Sequence, residues 1–263
     1  MELELVALSK QGARDYNEDV HGHWHDDRYV ACLVADGAGG HGGGDVAAFT
    51  VRKSVLGGFA AAPTIDGAAL LELIHQANRD IVERQSEGGK LAAMRSTVVF
   101  VAIDLQEEKL IWLHSGDSRA YLFRGGVSVA RTTDHSLVAQ MVSTGLIDEE
   151  GARAHPQRNM LLSALGSLTE LPEISCSDPM RLQAGDALLL CSDGVWEPLG
   201  DERLQDALQA SRNPSQWLEL IDKEVQAHNK PGQDNYTALA LWLHAEDDDT
   251  RLLVKVAAEP ATD

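Results

Sequence analysis

The chain has 263 residues, of which 44% are hydrophobic, and its formal net charge is −19. This composition allows a substantial buried core, arranged as one large domain or two small ones. A charge this negative argues against binding to nucleic acid or to an anionic membrane, and it would repel phosphorylated substrates unless cations or arginine lie in the site.

The N-terminal segment is not typical of a signal peptide, because its first charges are acidic and glutamate interrupts its apolar run. No stretch of the sequence has the apolar length of a membrane span. The cysteines Cys32, Cys176 and Cys191 show no CxxC spacing, which indicates a reducing compartment without disulfides. We therefore expect a cytoplasmic protein, with Cys32 and Cys191 in the core because each lies in an apolar run.

Short apolar segments rich in β-forming residues predict the strands. After a first candidate at the N-terminus, they cover residues 28–35, 96–104, 109–115, 119–123, 186–192 and 236–243. The short segment LQEEK joins two of them and predicts a hairpin.

Segments with apolar residues at helical spacing predict helices. They cover residues 45–58, 66–85, 201–211 and 215–228. Asp66 is a candidate N-cap of the second helix, and Asn213-Pro214 separates the last two. Because strands and helices come in blocks rather than in alternation, we expect an α+β fold with sheet in the middle and helix pairs outside.

The last predicted element of the domain ends near residue 244. The acidic run AEDDDT follows it and is typical of a solvated boundary. The remaining segment, RLLVKVAAEPATD, could form a final strand or a docking segment.

Aspartates recur where predicted strands meet loops. Asp36, Asp117 and Asp193 each follow a strand, and Asp234 precedes one. One such aspartate is most often a turn residue. Each of these four has glycine or asparagine beside it, however, which favours a shared cleft carried by a rigid sheet.

A cluster of carboxylates cannot stay ionised without cations. Oxygen ligands select Mg²⁺, Mn²⁺ or Ca²⁺ over zinc, and a pair of such ions about 3.5–4 Å apart can activate a water and clamp the oxygens of an in-line displacement. Arg14 precedes Glu18 and Asp19, and its planar guanidinium could grip two oxygens of a phosphate. These residues predict metal-assisted chemistry on a phosphate.

Short motifs follow one another along the chain. They are Arg14-Asp15-Tyr16-Asn17-Glu18-Asp19, Asp36-Gly37-Ala38-Gly39-Gly40-His41, Gly116-Asp117-Ser118-Arg119, Asp134-His135-Ser136-Leu137, Ser192-Asp193-Gly194 and Gln233-Asp234-Asn235. In residue types and order, this set resembles the motifs of bacterial metal-dependent protein phosphatases of the PPM (protein phosphatase 2C) family, over residues 5–243. No single motif is decisive, but the ordered set is specific.

The resemblance implies a four-layer α-β-β-α sandwich, in which a central antiparallel β-sandwich is flanked by helix pairs. The phosphatase domain would span residues 1–244 and be followed by an acidic C-terminal tail at residues 245–263. Residues 135–167 match the flap that lies beside the active site in this family. The flap would influence the choice of substrate.

The resemblance also implies roles for individual residues. Asp36, Asp193 and Asp234 would bind a metal pair, with Asp36 bridging the ions and the Gly37 carbonyl completing one shell. Asp117, together with Asp193, would hold a third, weaker ion.

Three residues of the first motif would act beside the metals. Glu18 and Asp19 would act near the ions, partly through water, and Arg14 would bind the phosphate of the substrate. Asn235 would orient Asp234.

The implied activity is hydrolysis of phosphoserine and phosphothreonine on proteins by a metal-activated water, with two or three Mn²⁺ or Mg²⁺ ions and no phospho-enzyme. The partners would be phosphorylated proteins, namely a serine/threonine kinase or its targets, with no nucleic acid and no membrane, and the chain would act as a monomer. Two alternatives stay open. One is a catalytically silent phosphoprotein-binding module of the same fold, and the other is a small-molecule phosphatase.

The chain departs from the family pattern at three places. Ala38 stands where many eukaryotic relatives have a histidine proposed as general acid, so the proton donor is unassigned and a metal-bound water is a candidate. Arg95 replaces the glycine of the usual M-G-T-T, where it could alter the turn or contact a phosphate. Ser163 replaces the arginine that usually precedes A-L-G in the flap.

Two other patterns compete with this interpretation. Residues 37–42 satisfy the GxGxxG pattern of dinucleotide-binding loops, but Asp36 would oppose a pyrophosphate and no strand follows the next helix. His21, His23 and His25 alternate and would share one face of a strand, either as a transition-metal site or as a solvent-facing row.

Overall fold

The structure, a computed structural model, describes residues 2–39, 42–167, 171–228, 232–244 and 255–256. The strands are β1 (Glu2–Lys10), β2 (Asp19–His25), β3 (Tyr29–Ala38), β4 (Arg95–Ser96), β5 (Val98–Asp104), β6 (Lys109–Ser115), β7 (Arg119–Arg124), β8 (Val127–Arg131), β9 (Ser175–Cys176), β10 (Met180–Arg181), β11 (Ala187–Cys191), β12 (Tyr236–His244) and β13 (Lys255–Val256). The helices are α1 (Gly44–Ala61), α2 (Gly67–Gln85), α3 (Leu137–Ser143), α4 (Glu149–Ala154), α5 (Asp193–Gln209) and α6 (Pro214–Ala227).

The strands form two sheets. The first has the order β13-β1-β12-β11-β7-β8, and the second has the order β10-β6-β5-β3-β2, with β4 beside β3 and β9 beside β6. Neighbouring strands are antiparallel throughout, except that β13 runs parallel to β1.

Three apolar layers hold four layers of secondary structure together. Side chains of both sheets, such as Val101 and Leu241, fill the space between the sheets. Helices α1 and α2 pack on the second sheet around Phe59 and Phe100, and α5 and α6 pack on the first sheet around Trp217. The predicted α-β-β-α sandwich with an antiparallel centre is therefore confirmed.

Strand β3 shows how this packing leads to the acidic residues. Val30, Cys32 and Val34 face the other sheet, whereas Ala31 and the residues alternating with it face the helices. Both faces are buried, which is why the strand has a continuous apolar sequence. Asp36 continues the series that faces the other sheet, at the end of the sandwich.

Most predicted elements are confirmed within a few residues. Strands β5 and β6 form the predicted hairpin, with Asp104 opposite Lys109. Asp66 caps α2 by accepting a hydrogen bond from the Ala69 amide at 2.9 Å, and Asn213 caps α6 in the same way.

Other boundaries differ from the predictions. Helix α5 begins at Asp193, well before the predicted start at residue 201, and non-helical Gly200 at φ 67° divides it. Strand β3 continues past Asp36 to Ala38 because residues 37 and 38 pair with β4. The apolar pattern does not predict strand β8, because most residues of this strand are exposed.

The remaining sequence predictions concern the cysteines and the tail. Cys32 and Cys191 are buried, as predicted, and Cys176 is exposed. Lys255 and Val256 pair with β1 as a short final strand, and the rest of residues 245–263 lies outside the described residues. No helix in the described part of the chain combines the length and apolarity needed to cross a membrane.

Candidate functional site

The predicted acidic residues converge at one end of the sandwich. Asp19, the first residue of β2, lies directly opposite Asp36 of β3. The negative charges of Asp19, Asp193, Asp117 and Asp234 all act on Asp36. The structure thus brings together aspartates from both sheets.

Burial and mutual repulsion dominate the electrostatics of this cleft. Burial, followed by the neighbouring carboxylates, raises the pKa of Asp36 and of Asp193 well above the usual range. Burial also raises the pKa of Asp19 to about 6. It raises the pKa of Asp117 to about 7, with the charge of Asp134 as the next cause. The cluster therefore favours bound protons or bound cations over bare negative charge.

Two buried carboxylate oxygens in the cleft lack hydrogen-bond partners among the described residues. They are Oδ1 of Asp19 and Oδ1 of Asp193. Unpaired buried acceptors are costly, and such hard oxygens suit a divalent cation, so the residues present fit a metal site. In the described part of the chain, no group of three His, Cys, Asp or Glu side chains has the arrangement of a complete metal site.

Hydrogen bonds fix the backbone on which these aspartates stand. Ser192 donates to Asp19 Oδ2 at 2.7 Å and accepts from the Thr237 amide at 3.0 Å, which joins β2, β11 and β12. On the other side, Thr97 Oγ1 accepts from the Asp36 amide at 3.0 Å and lies 2.7 Å from Ser118 Oγ. Both ends of the cleft are therefore tied across the two sheets.

Two glycines in the motifs allow a close approach of backbones. A Cβ atom at Gly37 would lie 2.1 Å from the Gly44 carbonyl oxygen, and one at Gly194 would lie 2.0 Å from the Asn235 carbonyl oxygen. Larger residues at either position would push apart the elements that carry the aspartates. This close packing explains the glycines without a dinucleotide. Gly40 and His41 lie outside the described residues.

Glu18 stabilises the N-terminus of helix α1. Its Oε1 accepts a hydrogen bond from the Gly44 amide at 3.1 Å, and so it caps α1, where the N-cap residue Gly43 has no side chain to do so. Burial raises the pKa of Glu18. The prediction that Glu18 also acts near metals stays a prediction.

Arg14 lies at the mouth of the cleft. Its Nη2 donates to Asp234 Oδ2 at 2.6 Å, and 52% of its side chain is exposed. Asn235 attaches the Arg14–Asp19 motif to the start of β12, because it accepts from the Glu18 amide and donates to the carbonyls of Gln11 and Tyr16. The backbone amide of Asn235 donates to Asp234 Oδ1 at 2.9 Å. The prediction that Asn235 orients Asp234 stays a prediction.

A second network supports Asp117, and sequence reasoning assigned no role to its members. Arg119 forms a two-pronged ion pair with Asp134, at 2.8 and 2.7 Å. Its guanidinium lies 3.5 Å from the ring centroid of Trp196, whose Nε1 donates to the Asp117 carbonyl at 2.8 Å. The only sequence signal for Arg119 and Asp134 was their place in two of the motifs.

A groove of about 1010 Å³ runs from the aspartates to the predicted flap. Residues of α3 and α4, including Val142 and Ala152, line one wall, and the first turns of α5 line the other. Arg158 and Glu197 form an ion pair between the two walls. Residues of the segment 135–167 therefore border the cleft. The prediction that this segment influences the choice of substrate stays a prediction.

The histidine row lies on β2, on the face that alternates with Val20 and Trp24. The rings of His23 and His25 stack with centroids 6.4 Å apart. Among the described residues, no three His, Cys, Asp or Glu side chains form a metal-binding group, so the histidine row does not support a transition-metal site.

Comparisons with known proteins agree with this geometry. A family model described as protein phosphatase 2C matches residues 9–244. The chain is 31% identical over 232 residues to "Serine/threonine phosphatase stp" of Listeria innocua, covering 86% of this chain and 90% of that protein. Its fold matches a Streptococcus agalactiae serine/threonine phosphatase with a TM-score of 0.81 and 26% identity, covering 92% of this chain and all of the other.

A further solved structure is similar to this chain. It is the catalytic domain of the serine/threonine protein phosphatase PstP in complex with two manganese ions. The TM-score is 0.74 at 30% identity, and the match covers 92% of this chain and 99% of the PstP chain.

Proposed function

Because this chain belongs to the protein phosphatase 2C family and is a serine/threonine protein phosphatase, we propose that its aspartate cleft binds two or three Mn²⁺ or Mg²⁺ ions and hydrolyses phosphoserine and phosphothreonine on proteins. The observation that carries this proposal is the convergence of Asp19, Asp36, Asp117 and Asp193 with raised pKa values. The unpaired oxygens of Asp19 and Asp193 support it. The manganese ions in the PstP structure favour the same class of ion.

The proposed ligands of the metal pair are Asp36, the Gly37 carbonyl, Asp193 and Asp234, and Asp117 joins Asp193 at a third position. Divalent cations bound there would lower the pKa of a water molecule and neutralise the charge of a phosphate. The protein holds its acidic residues on hydrogen-bonded backbone from both sheets, so little reorganisation of the backbone would be needed.

Arg14 would bind the phosphate of the substrate. It is exposed and now shares its guanidinium with Asp234, so binding of cations by Asp234 would leave the guanidinium free for phosphate oxygens. A planar guanidinium can grip two of these oxygens at once. This would place the phosphate between Arg14 and the aspartates.

Hydrolysis would be direct, without a covalent phospho-enzyme. A cysteine nucleophile is disfavoured near the cleft, because Cys191 is fully buried in β11 and burial raises the pKa of its thiol far above the usual range. Water is therefore the proposed nucleophile. The proton donor to the leaving oxygen stays unassigned, since Ala38 carries no acidic group.

The test is hydrolysis of a phosphothreonine peptide with Mn²⁺, with and without a chelator. We expect activity only with free metal, and its loss in Asp36→Asn and in Asp193→Asn. Asp178→Asn is the matched control, because Asp178 is exposed in a loop outside the cleft. Activity that survives chelation, or that persists in both cleft variants, would overturn the mechanism.

The two alternatives predict different results. A silent binding module would bind phosphopeptides without turnover and would fail to bind Mn²⁺ by calorimetry. A small-molecule phosphatase would hydrolyse phosphorylated metabolites faster than phosphopeptides. The groove of about 1010 Å³ beside the aspartates has room for either kind of substrate, so the relative rates on phosphopeptides and phosphorylated metabolites distinguish the two.

We further propose that this phosphatase reverses the action of a serine/threonine kinase, either on the kinase itself or on its targets. Support comes from the relatives, which carry the names of serine/threonine phosphatases. Comparing the phosphoproteins of cells with and without the protein would identify these substrates.

A further inference from the structure

Arg95 lies at the edge of the aspartate cleft, in the two-residue strand β4. Strand β4 pairs with the end of β3, with Ser96 opposite Gly37 and Arg95 opposite Ala38. Farther along, Val99 of β5 lies opposite Val34 in the same register. The pairing therefore continues past the cleft without a bulge.

This register determines which way Arg95 points. Side chains alternate along an extended chain, and residues directly opposite each other share a face. Arg95 therefore lies on the face of Asp36 and Ala38, which is the face toward the other sheet, whereas Ser96 points away and is fully buried. Arg95 itself is exposed.

The guanidinium of Arg95 is available for a ligand. Within the described residues, it forms no ion pair and no hydrogen bond, unlike Arg14, Arg119 and Arg158, which each pair with a carboxylate. Arg95 is therefore a positive charge without an ion-pair partner among the described residues, in a chain of net charge −19.

The spacing of residues along β3 predicts which side chain of a bound peptide would contact Arg95. Asp36 and Ala38 are two residues apart on one strand face, a distance of about 7 Å. In an extended peptide, the side chains two residues apart share a face and are separated by the same distance of about 7 Å. A peptide with its phosphate at Asp36 could therefore place its next side chain on that face at Arg95.

We propose that Arg95 is a specificity-determining residue that favours substrates with a second anionic side chain two residues from the phosphoresidue. The proposal rests on the proposed function, because it assumes that the phosphate is bound at the aspartate cleft. The anion can be a carboxylate or a second phosphate, since a guanidinium binds both.

The experiment compares phosphothreonine peptides that differ at one position. One peptide is neutral around the phosphothreonine, and the others carry glutamate or phosphoserine two residues before or after it. We expect kcat/KM of the wild-type protein with Mn²⁺ to be about tenfold higher for an anionic peptide in one of these two directions. The glutamate and phosphoserine peptides separate the two sources of negative charge.

Variants at Arg95 test the cause of this preference. Arg95→Ala should abolish the tenfold advantage through KM, and Arg95→Lys should retain part of it. Arg212→Ala is the matched control, because Arg212 is exposed in the loop between α5 and α6, and it should behave like the wild type. Hydrolysis of p-nitrophenyl phosphate should be unchanged in all three variants, because this ester has no second anion.

Several results would overturn the proposal. They are equal rates of the wild type on neutral and anionic peptides, a preference that remains in Arg95→Ala, or an equal loss by Arg95→Ala on every substrate. Fluorescence anisotropy of the labelled peptides tests the contact independently of turnover, and unchanged affinity of Arg95→Ala for the anionic peptide would count against it. Failure of the wild type to hydrolyse even the neutral peptide would instead contradict the proposed function.

Discussion

The core between the sheets and the aspartate cleft are built on the same strands and differ only in what faces inward. Val34 and Asp36 lie on one face of β3, two residues apart. At Val34 the two sheets bury apolar side chains, which stabilises the fold. At Asp36 the same approach of the two sheets brings like charges together and removes water from them, which destabilises the metal-free protein. The same two sheets therefore stabilise the fold at their centre and favour bound cations at the end where Asp36 lies.

The largest expected effect is on catalysis in the cleft. Asp193→Asn should lower kcat/KM on a phosphopeptide by about 1000-fold, because it removes a proposed metal ligand worth several kcal/mol in the transition state. The free energy of unfolding without metal should not fall, because the substitution removes a repelling charge. Parallel activity and denaturant measurements check both statements, and a variant that is unfolded at 25 °C would contradict the second.

A substitution in the centre of the sandwich should lower stability and leave the metal dependence of activity unchanged. Leu241 is fully buried between the sheets, so Leu241→Ala should lower the free energy of unfolding by about 2–5 kcal/mol. The Mn²⁺ concentration that gives half-maximal activity should stay the same in the folded protein, since no acidic residue moves. A large change in that concentration would show that core and cleft are not separable in this way.

Metal binding at the aspartate cleft should raise the free energy of unfolding. At a free Mn²⁺ concentration of 100 times the dissociation constant, one site should add about 2.7 kcal/mol to the free energy of unfolding. Thermal unfolding with and without Mn²⁺ measures this difference. In Asp36→Asn the increase should be much smaller, and an equal increase in both proteins would place the ions elsewhere.

The pH dependence without metal should report the same buried charges. Asp19 and Asp117 have pKa values of about 6 and about 7, raised above the usual carboxylate value. The folded state therefore holds protons that the unfolded state releases, and this contribution to stability is present below about pH 4 and is lost as the pH rises through 6 and 7. Asp117→Asn should flatten the dependence in that window, as denaturant unfolding at several pH values would show. A wild-type curve that does not differ from the Asp117→Asn curve would contradict the assignment.

The smallest expected effect concerns the backbone of Asp117. Trp196→Phe removes the hydrogen bond to the Asp117 carbonyl and should cost about 1 kcal/mol of unfolding free energy. Trp242→Phe is the matched control, because Trp242 Nε1 is buried without a hydrogen-bond partner among the described residues. Equal losses in the two variants would show that packing, rather than the hydrogen bond, is responsible.

Much of this molecule could be predicted from local sequence. The apolar runs identified β5, β6, β11 and β12, since strands buried on both faces must be apolar throughout. Asp66 and Asn213 marked two helix starts, because a capping side chain acts within three residues of itself. The ordered motifs identified the aspartates that converge in the cleft. These features depend on neighbours in the chain, and so the sequence by itself determined them.

Only the tertiary structure decided how these features meet. Arg14 pairs with Asp234, 220 residues away, and Asp19 meets Ser192 across two sheets. The direction of Arg95 follows from the register of β4 on β3. Register and pairing between distant segments depend on how whole sheets pack, because shifting a strand by one residue turns every side chain to the opposite face. The sequence therefore determined which groups this phosphatase has, and the packing of its two sheets decided which of them share a site.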